Sequence, residues 1–237
     1  MRLSSPIYTL KRQARLLARD TDLRLHEALD QIATQEGFQD WSHLASNYAR
    51  TTPAMDLMRQ ISSGDLVLIG ARPGQGKTLL GLELAAVAHK HNRTGYFFTL
   101  DYNETDVRDR FDELGFDQRG HERPVIVDTS DDICAAHIID RLGNGPGDGL
   151  VVVDYLQQLD QRRRHPPLED QVRALKDFAT EHGTIIVLIS QIDRAFELSS
   201  RGVPGIDDIR LPNPVDVSLF DRRCFLHGGD IQIEMAA

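Results

Sequence analysis

Residues 65–78 read DLVLIGARPGQGKT, and this stretch decides the fold. Four apolar residues follow Asp65, and Gly70–Thr78 then fit the pattern G-x-x-x-x-G-K-[ST]. The next stretch, LLGLELAAVAHK, has the composition of a buried helix. A strand, a glycine loop and a helix in that order converge backbone N–H groups and a helix N-terminus on one anion. Gly70, Ala71, Arg72, Pro73, Gly74, Gln75, Gly76, Lys77 and Thr78 are therefore the expected phosphate cradle. Gly74 and Gly76 let the backbone approach a ligand with no side chain between them. Lys77 would place a positive charge at the outer phosphates, and the Thr78 hydroxyl would ligate a magnesium ion.

Outward from this stretch, short apolar runs alternate with helical patterns. The strands expected are 65–70, 95–100, 124–128, 149–154 and 184–190, with a weaker pair within 216–220 and 224–235. Helices are expected over 77–91, 104–114, 131–142 and 168–182. Alternation of this kind signals an α/β unit, a mostly parallel sheet with helices on both faces, whose buried strands read as continuous apolar runs such as LVVV and TIIVLI. In GLVVVDYLQQLD the run ends on Asp154, at the strand edge where open parallel sheets bind ligands. A carboxylate there can hold magnesium through water, or it can simply end a strand in a turn. Gln191, after TIIVLIS, falls at the same edge, where an amide can contact a terminal phosphate or serve as an ordinary loop residue.

Residues 1–50 have a different pattern. Ile7, Leu10, Ala14 and Leu17 recur at helical spacing with Lys11, Arg12, Arg15 and Arg19 between them. A second apolar stripe, Leu25 to Ala33, ends near Gly37 with Asp22 as its expected cap, and Phe38, Trp41 and Leu44 continue into a third short helix. The expected division is a small helical module over 1–50 and the α/β unit over 51–237, with NYARTTPAMD as linker. The net charge of −9 excludes a generally basic surface, so nucleic-acid contact would be local. Two patches are candidates, Lys11, Arg15 and Arg19 beside Arg12, and QRRRH at 161–165, and a solvated helix face and a polar loop explain them as well. Two distant cysteines, Cys134 and Cys224, argue against a metal site or a disulfide framework. The apolar stretches are of strand length, and the chain is expected to be cytoplasmic.

Taken in order, ARPGQGKT, YFFTLDYNETDVRDRF, LVVVDYLQQL and VRALKDFATEHGTIIVLISQIDR resemble the ATPase domain of the replicative DnaB-type helicases, within the RecA-like P-loop ATPases. The likeness spans roughly residues 55–220, and DYLQ and SQ-x-x-R are its family marks. It implies a RecA-like core, ATP with magnesium, assembly of like subunits into a ring, and movement on single-stranded DNA. It also implies that the loops at 160–168, carrying Arg162, Arg163 and Arg164, and at 195–210 face that DNA.

Three departures from the family pattern shape the expected activity. The glutamate that orients the attacking water in the family is here Asp101, shorter by one methylene, with Glu104 three residues on. A misplacement of about 1 Å can cost about a hundredfold in rate, so weak hydrolysis is expected. The C-terminal basic element that reaches a neighbour's nucleotide is missing from its usual place, leaving Arg210, Arg222 and Arg223 as substitutes. The family's primase-contacting N-terminal domain is replaced by the helical module, whose protein partner the sequence does not identify. The sequence thus points to an Mg-dependent ATPase coupled to single-stranded DNA. A protein whose partner interactions are gated by ATP, with little or no hydrolysis and no unwinding, is the alternative.

Overall fold

Leu66–Ala71 forms β1 of the computed structural model, which describes residues 7–50, 52–114, 116, 124–143, 148–160, 165–199, 201–211, 213–228 and 230–235. The chain divides into two compact units, Met1–Asp56 and Leu57–Ala237.

The first unit holds α1 (Ile7–Asp20), α2 (Leu25–Gln35) and α3 (Trp41–Arg50). Ile7, Leu10 and Ala14 of α1 pack with Ala28, Ile32 and Ala33 of α2 and with Leu44 of α3. Asp22 does not cap α2. Arg24 precedes the helix, and its backbone N–H donates to Glu27 Oε2 at 2.8 Å, satisfying the entry from inside the first turn. Gly37, with φ of 85°, turns the chain out of α2, and Asp30 Oδ1 accepts the Trp41 N–H at 2.9 Å to set the start of α3. A short helix, α4 (Pro53–Met58), follows.

In the second unit β1 is joined by β2 (Thr94–Thr99), β3 (Ile126–Asp128), β4 (Gly149–Asp154), β5 (Ile185–Gln191), β6 (Arg222–His227) and β7 (Asp230–Met235). The spatial order is β3-β2-β4-β5-β1-β6-β7, parallel throughout except for the β6–β7 pair. Every residue of β1, β2 and β4 is buried, as strands covered on both faces require. On one face, Leu66, Leu68, Tyr96, Phe98, Val151 and Val153 pack with residues of α7 (Ala135–Gly143) and α8 (Leu168–His182). On the other lies α5 (Lys77–Val87), so close that a Cβ on Gly81 would stand 2.7 Å from Ile189 Cδ1 and 2.9 Å from Val152 Cγ1. A further helix, α6 (Glu104–Leu114), follows β2.

Several expected elements differ. Residues 217–219 form a 3-10 turn instead of a strand, because Asp216 accepts the Ser218 N–H and curls the chain. The expected run at 224–235 is a hairpin of two strands, turning at Gly228, φ 58°. The first crossover helix ends at Val87, and its continuation to His91 is 3-10. The helix expected from residue 131 starts only at Ala135, after a loop in which Asp128 Oδ1 accepts the Ser130 N–H. The basic run Arg162, Arg163 and Arg164 lies outside the described residues.

Candidate active site

Parallel pairing aligns the strand ends. Ala71 is opposite Gln191, and Asp154 lies between Thr99 of β2 and Ile189 of β5. Each of these strands then leaves the sheet on the same edge. Cradle, Asp154, Asp101 and Gln191 are therefore brought to one crevice, as expected for ligand binding at the C-terminal ends of parallel strands.

Within the cradle the residues divide by task. Gly70 and Ala71 are still buried strand. A Cβ at Gly70 would lie 2.9 Å from the Phe225 ring, so this glycine serves packing. Gly74 and Gly76 have φ of 79° and 86°, the left-handed region that glycine adopts without strain, and a Cβ at either would meet nothing within 4 Å. That open space borders the N-terminus of α5, whose residues Leu80–Val87 are all buried. The helix is fixed while its first backbone N–H groups remain free for an anion. Two cradle side chains brace the loop. Arg72 bonds Glu197 at 2.8 Å and the Ile192 carbonyl at 3.0 Å, and Gln75 Oε1 accepts the Gly228 N–H at 2.8 Å. Pro73 is exposed at the tip.

Asp154 is 1% exposed, and its Oδ2 has no hydrogen-bond partner. Burial pushes its carboxyl up to about 6, the nearby Asp101 adds to this, and the Thr78 hydroxyl bond with the Lys77 and Arg110 charges opposes it. A buried carboxylate with an orphaned oxygen, bonded to a threonine hydroxyl, is a donor set suited to a small hard cation. Among the described residues no group of three or more His, Cys, Asp or Glu is built to hold a metal alone.

Asp101 stands just beyond β2 and is exposed. Desolvation raises its pKa, against a hydrogen bond from Gln158 and the Lys77 charge. Lys77 thus acts on both carboxylates. Glu104 opens α6, where an acid favours the helix dipole.

Three residues at the site were given no role in the sequence. Gln157 and Gln158 lie in a 3-10 turn, Leu156–Asp160, directly after β4. With three residues per turn, neighbouring side chains diverge by a third of a circle. Gln157 Nε2 reaches towards β5, bonding Ser190 Oγ at 2.9 Å and the Arg210 carbonyl at 2.6 Å. Gln158 reaches the other way, to the end of β2, where Oε1 accepts the Leu100 N–H at 3.1 Å and Nε2 donates to Asp101 Oδ1 at 2.9 Å. Arg110 of α6 lies 4.2 Å from the Tyr102 ring centre, and its charge acts on Asp154. Gln157 closes the DYLQ mark but had no partner assigned to it, and nothing local distinguishes Gln158 or Arg110.

The proposed substitutes for a basic finger separate. Arg222 and Arg223 begin β6 opposite Val67 and Leu68, at the sheet edge where β1 enters, away from the cradle. Arg222 is bound to the Gln60 carbonyl at 2.8 Å and Arg223 to the Val217 carbonyl at 2.9 Å. Arg210 is exposed beside Gln191, whose carbonyl accepts its N–H at 2.8 Å. Cys224 is buried, and desolvation pushes its thiol up to about 12, consistent with a structural role. Among the described residues no helix is long and apolar enough to cross a membrane.

The family described as DnaB-like helicase C terminal domain matches residues 116–216, which include Asp154 and Gln191. The replicative DNA helicase DnaB of Leifsonia xyli subsp. xyli is 25% identical over 186 residues, covering 65% of this chain and 41% of its own length, so the chain spans less than half of that relative. A DnaB-like replicative helicase, solved for its interactions with primase, superposes with a TM-score of 0.59 at 16% identity, over 97% of this chain and 72% of that one. A KaiC-like protein from the hyperthermophilic archaeon Pyrococcus horikoshii gives 0.53 at 17% identity, over 73% of this chain and 80% of that one. The α/β unit of this chain is similar to the ATPase domain of the DnaB-type helicases and shares its fold.

Proposed function

We propose that this chain binds ATP with magnesium, hydrolyses it slowly, and couples that cycle to single-stranded DNA in the cytoplasm as part of a ring of like subunits. One observation carries the reading. An open glycine cradle, the Thr78–Asp154 pair with its orphaned oxygen, and a second carboxylate, Asp101, meet at one sheet edge. In this reading the cradle N–H groups and Lys77 hold the phosphates, while Thr78 and Asp154 hold magnesium. When bound, the ion neutralises charge on the outer phosphates. Asp101 orients the attacking water and accepts its proton as the water oxygen bonds to the terminal phosphorus and the bridging oxygen leaves with ADP. Gln191 reports the terminal phosphate.

Ring formation and DNA binding are supported by the family likeness. The DNA contact is assigned to Arg162, Arg163 and Arg164, and replacing all three with alanine should flatten the salt dependence of binding. A second reading, an ATP-gated interaction protein, is favoured by Asp101, one methylene shorter than the glutamate of the family pattern, and by the net charge of −9. Sizing the full chain with and without ATP, magnesium and a single-stranded oligonucleotide separates the two. Assembly that needs nucleotide and is tightened by DNA supports the first, and a monomer under every condition overturns it.

A further inference from the structure

We infer that Gln158 is a positioning residue that aims the Asp101 carboxylate into the crevice. This rests on the proposed hydrolysis and names a residue through which it works. Gln158 is 2% exposed and uses both ends of its amide. Oε1 is fixed by the Leu100 N–H at 3.1 Å, which sets which way the amide faces, and Nε2 then points at Asp101 Oδ1, 2.9 Å away. Among the described residues this is the only hydrogen bond to that carboxylate, so Oδ2 is left for water.

The arrangement follows from topology. β4 lies between β2 and β5, and the 3-10 turn after it sends one glutamine to each neighbour. Gln158 thus connects the end of the strand carrying Asp154 to the end of the strand carrying Asp101, and holds the spacing of the two carboxylates. Asp101 is otherwise exposed on a short bend, where a carboxylate rotates freely. A side chain with little reach is useful in catalysis only if its bearing is set, since a misplacement of about 1 Å costs about a hundredfold.

A merely structural Gln158 would satisfy the Leu100 N–H and nothing more. Four full-length proteins distinguish the two: wild type, Gln158→Leu, Asp101→Asn and the double variant, with Gln158→Glu as a fifth of nearly unchanged volume. Single-turnover hydrolysis, equilibrium ATP affinity and hydrogen exchange at the Leu100 amide are measured on each. Gln158→Leu is expected to lower the hydrolysis rate by about 10- to 100-fold with ATP affinity within about twofold of wild type. The Leu100 amide should exchange faster in this variant and at the wild-type rate in Asp101→Asn. Added to Asp101→Asn, Gln158→Leu should cost nothing further, because residues acting as one unit are non-additive. Gln158→Glu should protect the Leu100 amide yet lose hydrolysis, since it keeps the acceptor and turns a like charge on Asp101. If Gln158→Leu does not fold, Gln158→Glu decides: wild-type turnover from it overturns the inference. An unchanged rate in Gln158→Leu, or a full additive loss in the double variant, also overturns it while leaving the hydrolysis reading intact. Wild type no faster than Lys77→Ala would overturn both.

Discussion

Arg72 of the cradle and Glu197, far along the chain, form an ion pair at 2.8 Å, and the same guanidinium bonds the Ile192 carbonyl at 3.0 Å. The loop that would hold phosphate is thereby tied to the segment after β5. Glu197 is largely exposed, so its ion pair contributes under about 1 kcal/mol, and Glu197→Ala should barely move the melting temperature. Arg72→Ala also strands a carbonyl and loosens the cradle. It should weaken ATP by about tenfold, the equivalent of one charge-assisted hydrogen bond. Calorimetric titration of both variants checks this.

Lys77 acts on Asp101 and Asp154 as well as facing the cradle. Lys77→Ala should remove magnesium-dependent ATP binding and leave the fold in place, as read by titration and circular dichroism. Equal ATP affinity in the two proteins would mean the phosphates bind elsewhere.

A base that accepts a proton typically contributes about 10²- to 10⁴-fold in rate. Asp101→Asn should therefore remove most of the hydrolysis, because the amide keeps the shape and loses the charge. Glu104→Gln should remain near wild type, since Glu104 serves the dipole of α6. Single-turnover assays of the three proteins test the assignment, and a dead Glu104→Gln would mean the other carboxylate is the base.

Two glycines should respond differently to the same methyl group. A Cβ on Gly95 would fall 2.0 Å from the backbone oxygen of Ala85, which cannot move without displacing α5, so Gly95→Ala should not fold. On Gly81 the obstacles are the ends of the Ile189 and Val152 side chains. Gly81→Ala should fold with a loss of about 1–3 kcal/mol by urea denaturation.

Asp128 ends β3 and gathers the Ser130 N–H at 3.0 Å, His137 Nε2 at 3.0 Å and Arg141 Nε at 3.1 Å. Burial alone would raise its carboxyl, but these partners outweigh it and hold it below 3.8. A depressed folded pKa means the stabilisation is complete above 3.8 and is lost as pH falls through the lower folded value. Asp128→Asn should cost about 2 kcal/mol near neutrality and give a shallower loss of stability in the acid range, measured as urea midpoints against pH.

What could be read from sequence was whatever a continuous apolar run announces. β4 and α8 match their expected bounds residue for residue, since a buried parallel strand and a Pro-to-Gly bounded helix both have sharp ends. The β6–β7 hairpin was blurred because β7 is an edge strand, with Gln232 and Glu234 breaking the apolar pattern. That Asp154 and the cradle fall at one edge of the sheet was legible from spacing. The partners of Gln157, which closes the DYLQ mark, and of Gln158 were not, since one residue of difference in a 3-10 turn decides which strand each serves, and that depends on the order of strands in space. Strand register puts Arg222 and Arg223 at the edge opposite this chain's own cradle, a placement that the order of strands in space decides.

The place of β1 in the sheet sets an order on how the protein can be made. β1 is flanked by β5 and β6, and Gly70 is shaped to receive the ring of Phe225. On a ribosome the cradle emerges about 150 residues before that ring, at roughly 5–20 residues per second. During that interval one side of β1 has no neighbour, and nucleotide meets a half-built pocket. On the proposed function, competence to take up ATP is thus a late event in synthesis, reached only when β6 slots in beside the strand that leads into the loop.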